Sequence, residues 1–317
     1  VADTNPEQLK DAPEGVETYA NIDEMLANAD INVVMVSTPN PSHPEMVKKA
    51  AAAKKHVICE KPAAMSVAEY DEMVAACEEN GVIFTVHQQR RWDKDYRIMK
   101  EVYDKSMVGD MYIIKSQLYG VNGNMHDWHI YPEMGGGMLY DWGVHLIDQM
   151  LDMVKSKIVS LYADVQNVIN ENVDDYFKII MKFENGVTAE IELGTYYLTP
   201  KRAWFIGGNK GSALIDGFAG EGKIVRTAHL LENVPGKITM TAAGPTRSFG
   251  PPEPGLLSEE PLPEVNVDHR NYFEHFLKAF NGEEDIIIKP EQVRRVLCVM
   301  DAVRESAKTG KAIAFEE

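Results

Sequence analysis

The sequence predicts an α/β protein in which a doubly wound parallel sheet is followed by an α+β domain with a large, open and mostly antiparallel sheet. Over residues 1–108, helical patterns alternate with short apolar runs rich in β-branched residues, which is the arrangement of βαβ units. From residue 109 onward the apolar runs lengthen and alternate with polar residues, as in antiparallel strands. We therefore expect a first domain at residues 1–108 and a second at 109–317, with the C-terminal helices packing back on the first.

Each element of the first domain follows from its pattern. The segments PEQLKDA and NIDEMLANAD indicate short helices, and Asn21 or Asp23 suits the start of the second. The run INVVMVSTP has the continuous apolar character of a strand buried on both faces. The helix SHPEMVKKAAAAKK and the strand HVICE follow. Another helix begins after Ser66, with Glu69 completing a capping box and Gly81 as the stop, and the strand VIFTVHQQ comes next.

The second domain begins with the strand MYIIKSQLYG, and a glycine-rich turn and one helix interrupt it in GGGMLYDWGVHLIDQMLDMV. The segment FENGVTAEIEL holds an Asn-Gly turn between alternating runs, which predicts a hairpin. Residues 228–266 are rich in proline and glycine and predict an extended loop. Two helices, around DHRNYFEHFLKAF and KPEQVRRVLCVMDAVRESAKTG, are expected to close the chain.

Composition narrows the class of partner. The 317 residues carry a net charge of −17, so the surface repels nucleic-acid phosphates and anionic lipid, and we expect neither as the main partner. No apolar run is long enough to span a bilayer. Three cysteines, far apart at Cys59, Cys77 and Cys298, suggest no disulfide framework and no paired metal spacing. A reducing cytoplasm and a small-molecule partner are the simpler expectation.

Polar residues follow three predicted strands at the edge where an open α/β sheet binds ligands. These ends are VAD at Asp3, STPN at residues 37–40 and CEKP at residues 59–62. Together they predict a nucleotide crevice. Asp3 in that position would bind ribose hydroxyls and disfavour a 2′-phosphate, which selects NAD over NADP. A helix cap for NPEQLK is the alternative role of this aspartate.

The glycine motif of such a crevice, G-x-G-x-x-G, is absent because no room precedes Asp3. A strand, a glycine turn and a helix would need about thirty residues more. A doubly wound domain without its first strand would have an open central edge. We therefore expect these elements to lie N-terminal to Val1, outside this sequence.

The run KKHVICEKPAAMSVAEYDEMV, with VVMVSTPNPSHPEMVKKAAAAKKHV before it and VHQQRRWDKDYR after it, resembles the Gfo/Idh/MocA family. A second segment, GGGMLYDWGVHLID, is similar to that family's D-x-G-x-H-x-x-D signature. The C-terminal helices also resemble the family's usual ending, so the resemblance covers nearly the whole chain and lacks only the glycine loop. It implies a Rossmann-type first domain and an NAD(P)-dependent oxidoreductase of sugars, inositols or related compounds, often a dimer or tetramer.

The resemblance implies a role for each matching position at the strand ends. Lys61 would reach the substrate oxygen and the cofactor, and a cis peptide before Pro62 would turn it into the cleft. A surface ion pair between Glu60 and Lys61 is the alternative interpretation. The residues expected to line the cofactor are Asp3, Ser37, Thr38, Pro39, Asn40, His43, Glu60, Lys61, Pro62 and Gln89.

Lys61, Asp141 and His145 are the expected catalytic residues. Oxidising a secondary alcohol needs a hydride acceptor, which the cofactor supplies, and a base for the hydroxyl proton. His145 suits the base because histidine titrates near neutrality. Asp141 lies four residues earlier, on the same face of a helix, and would bind a substrate hydroxyl. A charged Lys61 would stabilise alkoxide character. A histidine alone on an apolar helix is more often a core residue, which is the alternative for His145.

The loop MHDWHIYPEMGGG is expected to contact the substrate. Trp128 and Trp142 offer flat faces for a sugar ring, and His126 or His129 offers hydrogen bonds to hydroxyls; ordinary loop packing is the alternative. Histidine and carboxylate are also metal-ligand types, but their spacing here matches no metal motif, so no metal site is predicted. The expected substrate-binding residues are Lys61, Gln89, His126, Trp128, His129, Asp141, Trp142 and His145.

Three consecutive residues depart from the family's usual segment Gly-His-Asn-Arg-Arg-Phe-Asp-Pro, because His87, Gln88 and Gln89 occupy its first three positions. These changes make the substrates of better-known members an unsafe guide for this chain. Arg91 keeps the family pattern and is expected to be structural. For Asp148, a structural hydrogen bond and a substrate contact both stay open.

These residues together predict an NAD-dependent oxidoreductase acting on a secondary hydroxyl of a sugar, glycoside or cyclitol, with C3 of a glucoside as one specific candidate. Two alternatives stay open. One is a glycosidase that uses bound NAD for transient oxidation, and the other is a non-catalytic sensor or repressor subunit that binds NAD. The presence of Lys61, Asp141 and His145 together favours the dehydrogenase, since a sensor needs no proton acceptor.

Overall fold

The computed structural model describes residues 1–121, 123, 125–199, 201–229, 237–248 and 254–315. Its helices are α1 Pro6–Leu9, α2 Ile22–Asn28, α3 His43–Ala52, α4 Val67–Asn80, α5 Lys94–Asp104, α6 Val144–Met153, α7 Arg270–Phe280 and α8 Pro290–Thr309. Short 3-10 turns cover Asn40–Ser42, Gln89–Trp92, Asp127–Ile130 and Pro132–Met134, and a π-helical turn covers Leu139–Gly143.

The strands of the same structure are β1 Val33–Val36, β2 His56–Cys59, β3 Phe84–Val86, β4 Met111–Tyr119, β5 Ile158–Gln166, β6 Tyr176–Phe183, β7 Thr188–Gly194, β8 Trp204–Gly208, β9 Gly211–Ile215, β10 Gly222–Thr227, β11 Lys237–Thr241, β12 Gly244–Ser248, β13 Leu257–Glu260 and β14 Ile313–Ala314.

The first sheet is parallel and, within the described residues, has the order β1-β2-β3. Helices α3 and α4 connect its strands, which is the alternation that the sequence predicts for a doubly wound sheet. The strands are short and apolar, and Val57, Cys59 and Val86 are completely buried. Ahead of them, Ala2 pairs with Tyr19 in a parallel bridge. The first part of the predicted fold class is confirmed.

Helix boundaries follow the predicted capping residues. Asn21 caps α2, and Ser66 begins α4 by accepting a hydrogen bond from the Glu69 N–H at 3.2 Å. Gly81 ends α4 with a φ of +67°, in the left-handed region that glycine adopts without strain. The predicted capping box is wrong in one detail. The Glu69 carboxylate accepts from the Met65 N–H at 3.1 Å, one residue before the cap.

The second sheet has nine strands within the described residues, in the order β13-β10-β9-β8-β4-β7-β6-β5-β14. The β4–β7 pair is parallel, and the other pairs are antiparallel. Strands β6 and β7 form the predicted hairpin, in which Lys182 pairs with Thr188 around the Asn-Gly turn. This large, mostly antiparallel sheet confirms the second part of the predicted fold class.

The extended loop predicted for residues 228–266 is wrong where the structure describes it. Strands β11 and β12 pair as a hairpin within it, and β13 adds an edge strand to the second sheet by pairing with β10. Residues 230–236 and 249–253 of this segment lie outside the described residues. Proline and glycine mark the turns here, but short strands fit between them because backbone pairing tolerates varied side chains.

Helices α6 and α8 lie where the two sheets come together. Helix α6 contacts α5, α8 and β7, and α8 contacts β3 and α4 as well as β5 and β14. A buried hydrogen bond from Thr85 Oγ1 to the Ile288 carbonyl, 2.9 Å long, joins the end of the first sheet to the segment before α8. The domain boundary after residue 108 stays a prediction. No helix in the described part of the chain combines the length and apolarity of a membrane span.

Candidate active site

The loops after the three parallel strands meet at one edge of the first sheet. Residues 37–40 follow β1, residues 60–62 follow β2 and residues 87–89 follow β3. Parallel strands carry their carboxyl ends to the same edge, which is where open α/β sheets bind ligands. The sequence predicts ligand residues in all three of these loops, with Gln89 as the one expected after β3.

Lys61 and Asp141 form the central contact of the site. Lys61 Nζ donates to Asp141 Oδ1 at 2.6 Å and to the Asp141 carbonyl oxygen at 2.8 Å. Their side chains are 17% and 18% exposed, so the pair is shielded yet still open to a ligand. The peptide between Lys61 and Pro62 is cis, as predicted. The two predicted catalytic residues, 80 positions apart in sequence, are therefore in direct contact.

Glu60 does not pair with the Lys61 side chain, so the surface ion pair considered from the sequence is absent. Instead, Glu60 Oε1 accepts from His87 Nδ1 at 2.7 Å, and Glu60 Oε2 accepts from the Lys61 backbone N–H at 3.2 Å. Burial alone would raise the pKa of Glu60, but these hydrogen bonds and the charge of Lys61 outweigh it and lower the pKa. Two hydrogen bonds therefore hold the Glu60 carboxylate in place at the start of the loop after β2.

His145 lies in the first turn of α6 and is 3% exposed. Its Nδ1 lies 2.7 Å from Gln88 Oε1. Because an amide oxygen only accepts hydrogen bonds, Nδ1 carries the proton and Nε2 keeps the lone pair. Burial, and then the positive charges of Lys61 and Arg90, lower the pKa of His145 well below its ordinary value. The ring is therefore neutral near pH 7 and can accept a proton.

The backbone that carries Asp141 differs from the prediction. Residues 139–143 form a π-helical turn, and the α-helix begins only at Val144, so a single α-helical face does not carry both Asp141 and His145. Asp174 holds this turn by accepting from the Leu139 N–H at 2.7 Å. Gly143 at its end lets Leu139 pack closely, because a Cβ atom there would lie 2.9 Å from Leu139 Cδ1. A π turn commonly marks a functional site in a helix.

The predicted cofactor residues divide into exposed and buried groups. Ser37, Thr38 and Pro39 are exposed at the end of β1, where a ligand can reach them. Asn40 is buried, and its Nδ2 donates to the Met134 carbonyl at 3.0 Å. Asp3 accepts from the Asn5 N–H at 2.7 Å, whereas Asn5 itself caps α1. The cap role considered for Asp3 therefore belongs to Asn5.

His43 was expected to line the cofactor, and the structure places it elsewhere. The side chain is completely buried, with Nδ1 3.0 Å from the Pro62 carbonyl and Nε2 2.8 Å from the Thr38 carbonyl. Both ring nitrogens are engaged by the protein, so neither is available to a ligand. His43 joins the loop after β1 to the loop after β2 and acts through their positions.

Polar atoms beyond β3 support a bound polar ligand at this edge. Three of the buried side-chain atoms without a protein partner fall on consecutive residues, namely His87 Nε2, Gln88 Nε2 and Gln89 Oε1. Buried polar groups normally find hydrogen-bond partners, so such a run is typical of a ligand site. With the exposed loop after β1, these residues fit a dinucleotide lying along the strand ends. Ser37, Thr38, Pro39 and Gln89 are the residues that would hold it.

The loop before the π turn contributes one histidine to the site. His129 Nε2 lies 3.7 Å from Asp141 Oδ2, and its ring stacks on Trp128 with centroids 3.8 Å apart. Asp141 thus lies between Lys61 and His129. His126 is mostly outside the site: its side chain is 81% exposed and pairs with the neighbouring Asp127. Among the described residues, no group of three metal-ligating side chains could hold a metal ion.

Two cavities share Trp142, the residue that follows Asp141, in their linings. One has a volume of about 190 Å³ and is lined by Arg90, Leu146, Gln149, Trp204 and Phe218 among others. The second, of about 270 Å³, is lined by residues that include Met125, Met138 and Thr195. The Arg90 guanidinium carbon lies 3.9 Å from the Trp142 ring centroid. Trp142 is therefore a wall shared by both cavities.

Sequence reasoning left Gln88 and Asp174 unassigned and kept the role of Asp148 open. Arg91 donates to Asp148 through Nε and Nη2, both at 2.7 Å, in a buried pair. This contact settles the predicted alternatives for Asp148 in favour of a structural bond. The sequence gives one faint indication that Gln88 contacts His145. Gln88 and Arg91 are three residues apart, and so are their partners His145 and Asp148.

Comparison with known proteins identifies the family. Residues 1–88 match the oxidoreductase family with an NAD-binding Rossmann fold, and residues 96–214 match the GFO/IDH/MocA C-terminal domain. The chain belongs to the Gfo/Idh/MocA family, as the two motifs imply. Its first domain is accordingly an NAD-binding Rossmann domain.

Individual relatives agree with this assignment. The crystal structure of an NAD-binding protein from Listeria innocua is 32% identical, with a TM-score of 0.87 over 95% of this chain and 87% of that one. An uncharacterized oxidoreductase, C115.03, from Schizosaccharomyces pombe is 27% identical over 96% of this chain and 87% of its own. The Bacillus subtilis scyllo-inositol 2-dehydrogenase (NADP(+)) IolW is 25% identical over 98% and 86%.

Proposed function

We propose that this protein is an NAD-dependent oxidoreductase that transfers a hydride between nicotinamide and a secondary hydroxyl of a sugar, glycoside or cyclitol. The observation that supports this most is the shielded pair between Lys61, which follows β2, and Asp141 in the π turn. The neutral base His145 lies in α6, which continues directly from that turn. Family relatives that include an inositol dehydrogenase support the substrate class. A glucoside oxidised at C3 is the specific substrate we would test first.

The side chains divide the work of alcohol oxidation. Lys61 Nζ donates a hydrogen bond to the alcohol oxygen and stabilises the negative charge that develops as the proton leaves. His145 takes that proton on Nε2, because Nδ1 already donates to Gln88. Asp141 holds Lys61 in place and accepts a hydrogen bond from a neighbouring hydroxyl. When bound, the nicotinamide ring supplies the hydride acceptor.

The cofactor preference rests on Asp3. A carboxylate at this point of a Rossmann domain binds ribose hydroxyls and repels a 2′-phosphate. Asp3 precedes α1 and has one oxygen held by the Asn5 N–H, which fixes the orientation of the carboxylate. We therefore propose NAD rather than NADP, although the Bacillus subtilis relative is named for NADP.

The substrate ring would lie against Trp142, which lines two cavities. The walls combine aromatic rings with a few polar groups, as carbohydrate sites in proteins require for ring faces and hydroxyls. The two cavities, of about 190 and 270 Å³, offer room for a ring and a further substituent, which favours a glycoside over a free small polyol.

Nicotinamide absorbance tests the proposal directly. The protein is incubated with NAD, and sugars, glucosides and inositols are added one at a time. Reduction of NAD by one class of compound is the expected result and narrows the substrate at once. Tight NAD binding without reduction by any compound would contradict the simple dehydrogenase and favour a sensor or an internally recycled cofactor.

A further inference from the structure

Gln88 is the residue that orients the base. Its side chain is 1% exposed, and its Oε1 lies 2.7 Å from His145 Nδ1. Histidine bases are commonly held by a hydrogen bond on the ring nitrogen that does not react, which selects the tautomer and the ring angle. Gln88 occupies that place here, at a position where the sequence departs from the family's usual histidine.

Two further contacts hold the Gln88 segment against α6. Arg91 forms its bidentate pair with Asp148, and both side chains are at most 5% exposed. Gln149 Nε2 also donates to the Arg90 carbonyl at 2.6 Å. The Gln88–His145 and Arg91–Asp148 contacts each join residues 57 positions apart. The segment at residues 88–91 therefore packs alongside the first turns of α6. The ion pair holds this segment in place and so keeps Gln88 next to His145.

We propose that Gln88 is a positioning residue that keeps His145 in the Nδ1–H tautomer, so that Nε2 presents its lone pair to the substrate hydroxyl. This inference rests on the proposed function for its catalytic consequence, but the tautomer itself is a property of the protein alone. The buried Arg91–Asp148 pair supports it by fixing the backbone beneath Gln88.

An amide differs from a carboxylate in this role. If Gln88 turned by half a rotation, Nε2 would donate to His145 and the ring proton would move to the other nitrogen, which removes the base. Gln88 Nε2 has no protein partner, so the Oε1–His145 contact alone must keep the amide in place. A glutamate at this position has acceptors on both oxygens and allows only the Nδ1–H form.

Nitrogen NMR of the protein labelled with ¹⁵N-histidine tests the tautomer without any substrate. The His145 signals are identified by their loss in His145→Gln. We expect a protonated Nδ1 and an unprotonated Nε2 in the wild type and in Gln88→Glu, and a mixture of tautomers in Gln88→Met. A wild-type ring protonated on Nε2, or a Gln88→Met spectrum identical to the wild type, would overturn the proposal.

The pH profile of kcat tests the same contact through chemistry. Gln88→Glu places an anion beside the ring and should move the acidic limb up by about one to three pH units. Gln88→Met should lower kcat by about 10- to 100-fold, the usual cost of losing the group that orients a histidine. Thr85→Val is the control, since it loses a buried hydrogen bond three residues away and should leave the profile unchanged.

These two experiments fail in different ways. If no alcohol is oxidised, the proposed function is contradicted, whereas the NMR result on Gln88 still stands. If alcohols are oxidised but Gln88→Glu and Gln88→Met share the wild-type profile, Gln88 has no positioning role. A Gln88→Met variant that does not fold leaves the decision to Gln88→Glu, which keeps the size and the acceptor of the native side chain.

Discussion

Lys61 and Asp141 meet through two hydrogen bonds, because Lys61 Nζ reaches both the carboxylate and the backbone carbonyl of Asp141. The carbonyl contact ties the lysine to the π turn itself, so the helix start and the loop after β2 are held at one distance. His129 approaches the other carboxylate oxygen. The Asp141 carboxylate therefore lies between Lys61 and His129. The neutral base His145 lies close by.

Asp141→Asn should reduce turnover because it removes the anion that holds Lys61. The backbone carbonyl still accepts from Lys61 Nζ, but the amide carries no charge to hold the ammonium, so we expect kcat to fall by about 10- to 1,000-fold, in the range set by single electrostatic contacts at active sites. Steady-state kinetics of the variant measure the change. Asp127→Asn is the matched control, since Asp127 pairs only with an exposed histidine. Equal losses in both variants would contradict the role of Asp141.

Asp148→Asn should destabilise the fold because it removes the carboxylate that pairs with the buried Arg91, whose other contacts, to Asp152 at 3.4 Å and Gln292 at 3.1 Å, are longer. Breaking a buried ion pair from one side costs about 3 to 5 kcal/mol. The double variant Arg91→Met/Asp148→Leu should be more stable than Asp148→Asn, since it removes both charges. Urea unfolding of the three proteins measures this. A double variant less stable than the single one would show that the pair adds net stability.

His145 should make the protein less stable as the pH falls. Its pKa is lowered in the folded state by burial and by neighbouring cations, so below about pH 6.5, the ordinary histidine value, the unfolded chain binds a proton that the folded chain does not. The contribution of the neutral His145 ring to the free energy of unfolding is therefore complete above that pH and decreases as the pH falls. The urea midpoint of the wild type should therefore fall more steeply than that of His145→Gln between pH 7.5 and 5.5. Parallel curves for the two proteins would contradict the lowered pKa.

Asp3→Ser should shift the cofactor preference toward NADP. The substitution removes the negative charge that would face a 2′-phosphate, whereas a hydroxyl still accepts the Asn5 N–H. We expect the ratio of Kd for NADPH to Kd for NADH to fall by about 10-fold or more, as one charge contact is worth a kcal/mol or two near a protein surface. Fluorescence titration with both cofactors measures the ratio. An unchanged ratio would place the ribose away from Asp3.

Much of this protein is predictable from sequence because its signals are local. The apolar run before Lys61 and the turn signal at Asn185 each specify one element, and each is found where expected. The shared catalytic role of Lys61 and Asp141 was implied by the family motifs, whereas their direct contact was not predicted, since neither segment alone indicates the other.

What the sequence could not predict depends on long-range packing. The π turn arises because Asp174, from a segment 35 residues later, holds the Leu139 N–H, and helical periodicity does not report such a contact. His43 looked like a ligand residue because it follows a strand end, but its neighbours bury it completely. Gln88 gave only the faint signal of its spacing from Arg91, because its partner lies 57 residues away.

The division of the chain, the cytoplasmic location and the homo-oligomer stay predictions. The three cysteines are free thiols, and Cys59 and Cys77 are buried. Burial raises the pKa of Cys77 to about 12, so this thiol is unreactive and has a packing role.

Single-turnover formation of NADH tests the central claim most directly. Wild type, Lys61→Met and His145→Gln are each mixed with NAD and the alcohol that the screen identifies, and nicotinamide absorbance is followed with time. The account predicts NADH formation by the wild type and a rate at least about 100-fold lower in each variant, with NAD affinity within a few-fold of the wild type. NADH formation at the wild-type rate in both variants would contradict it.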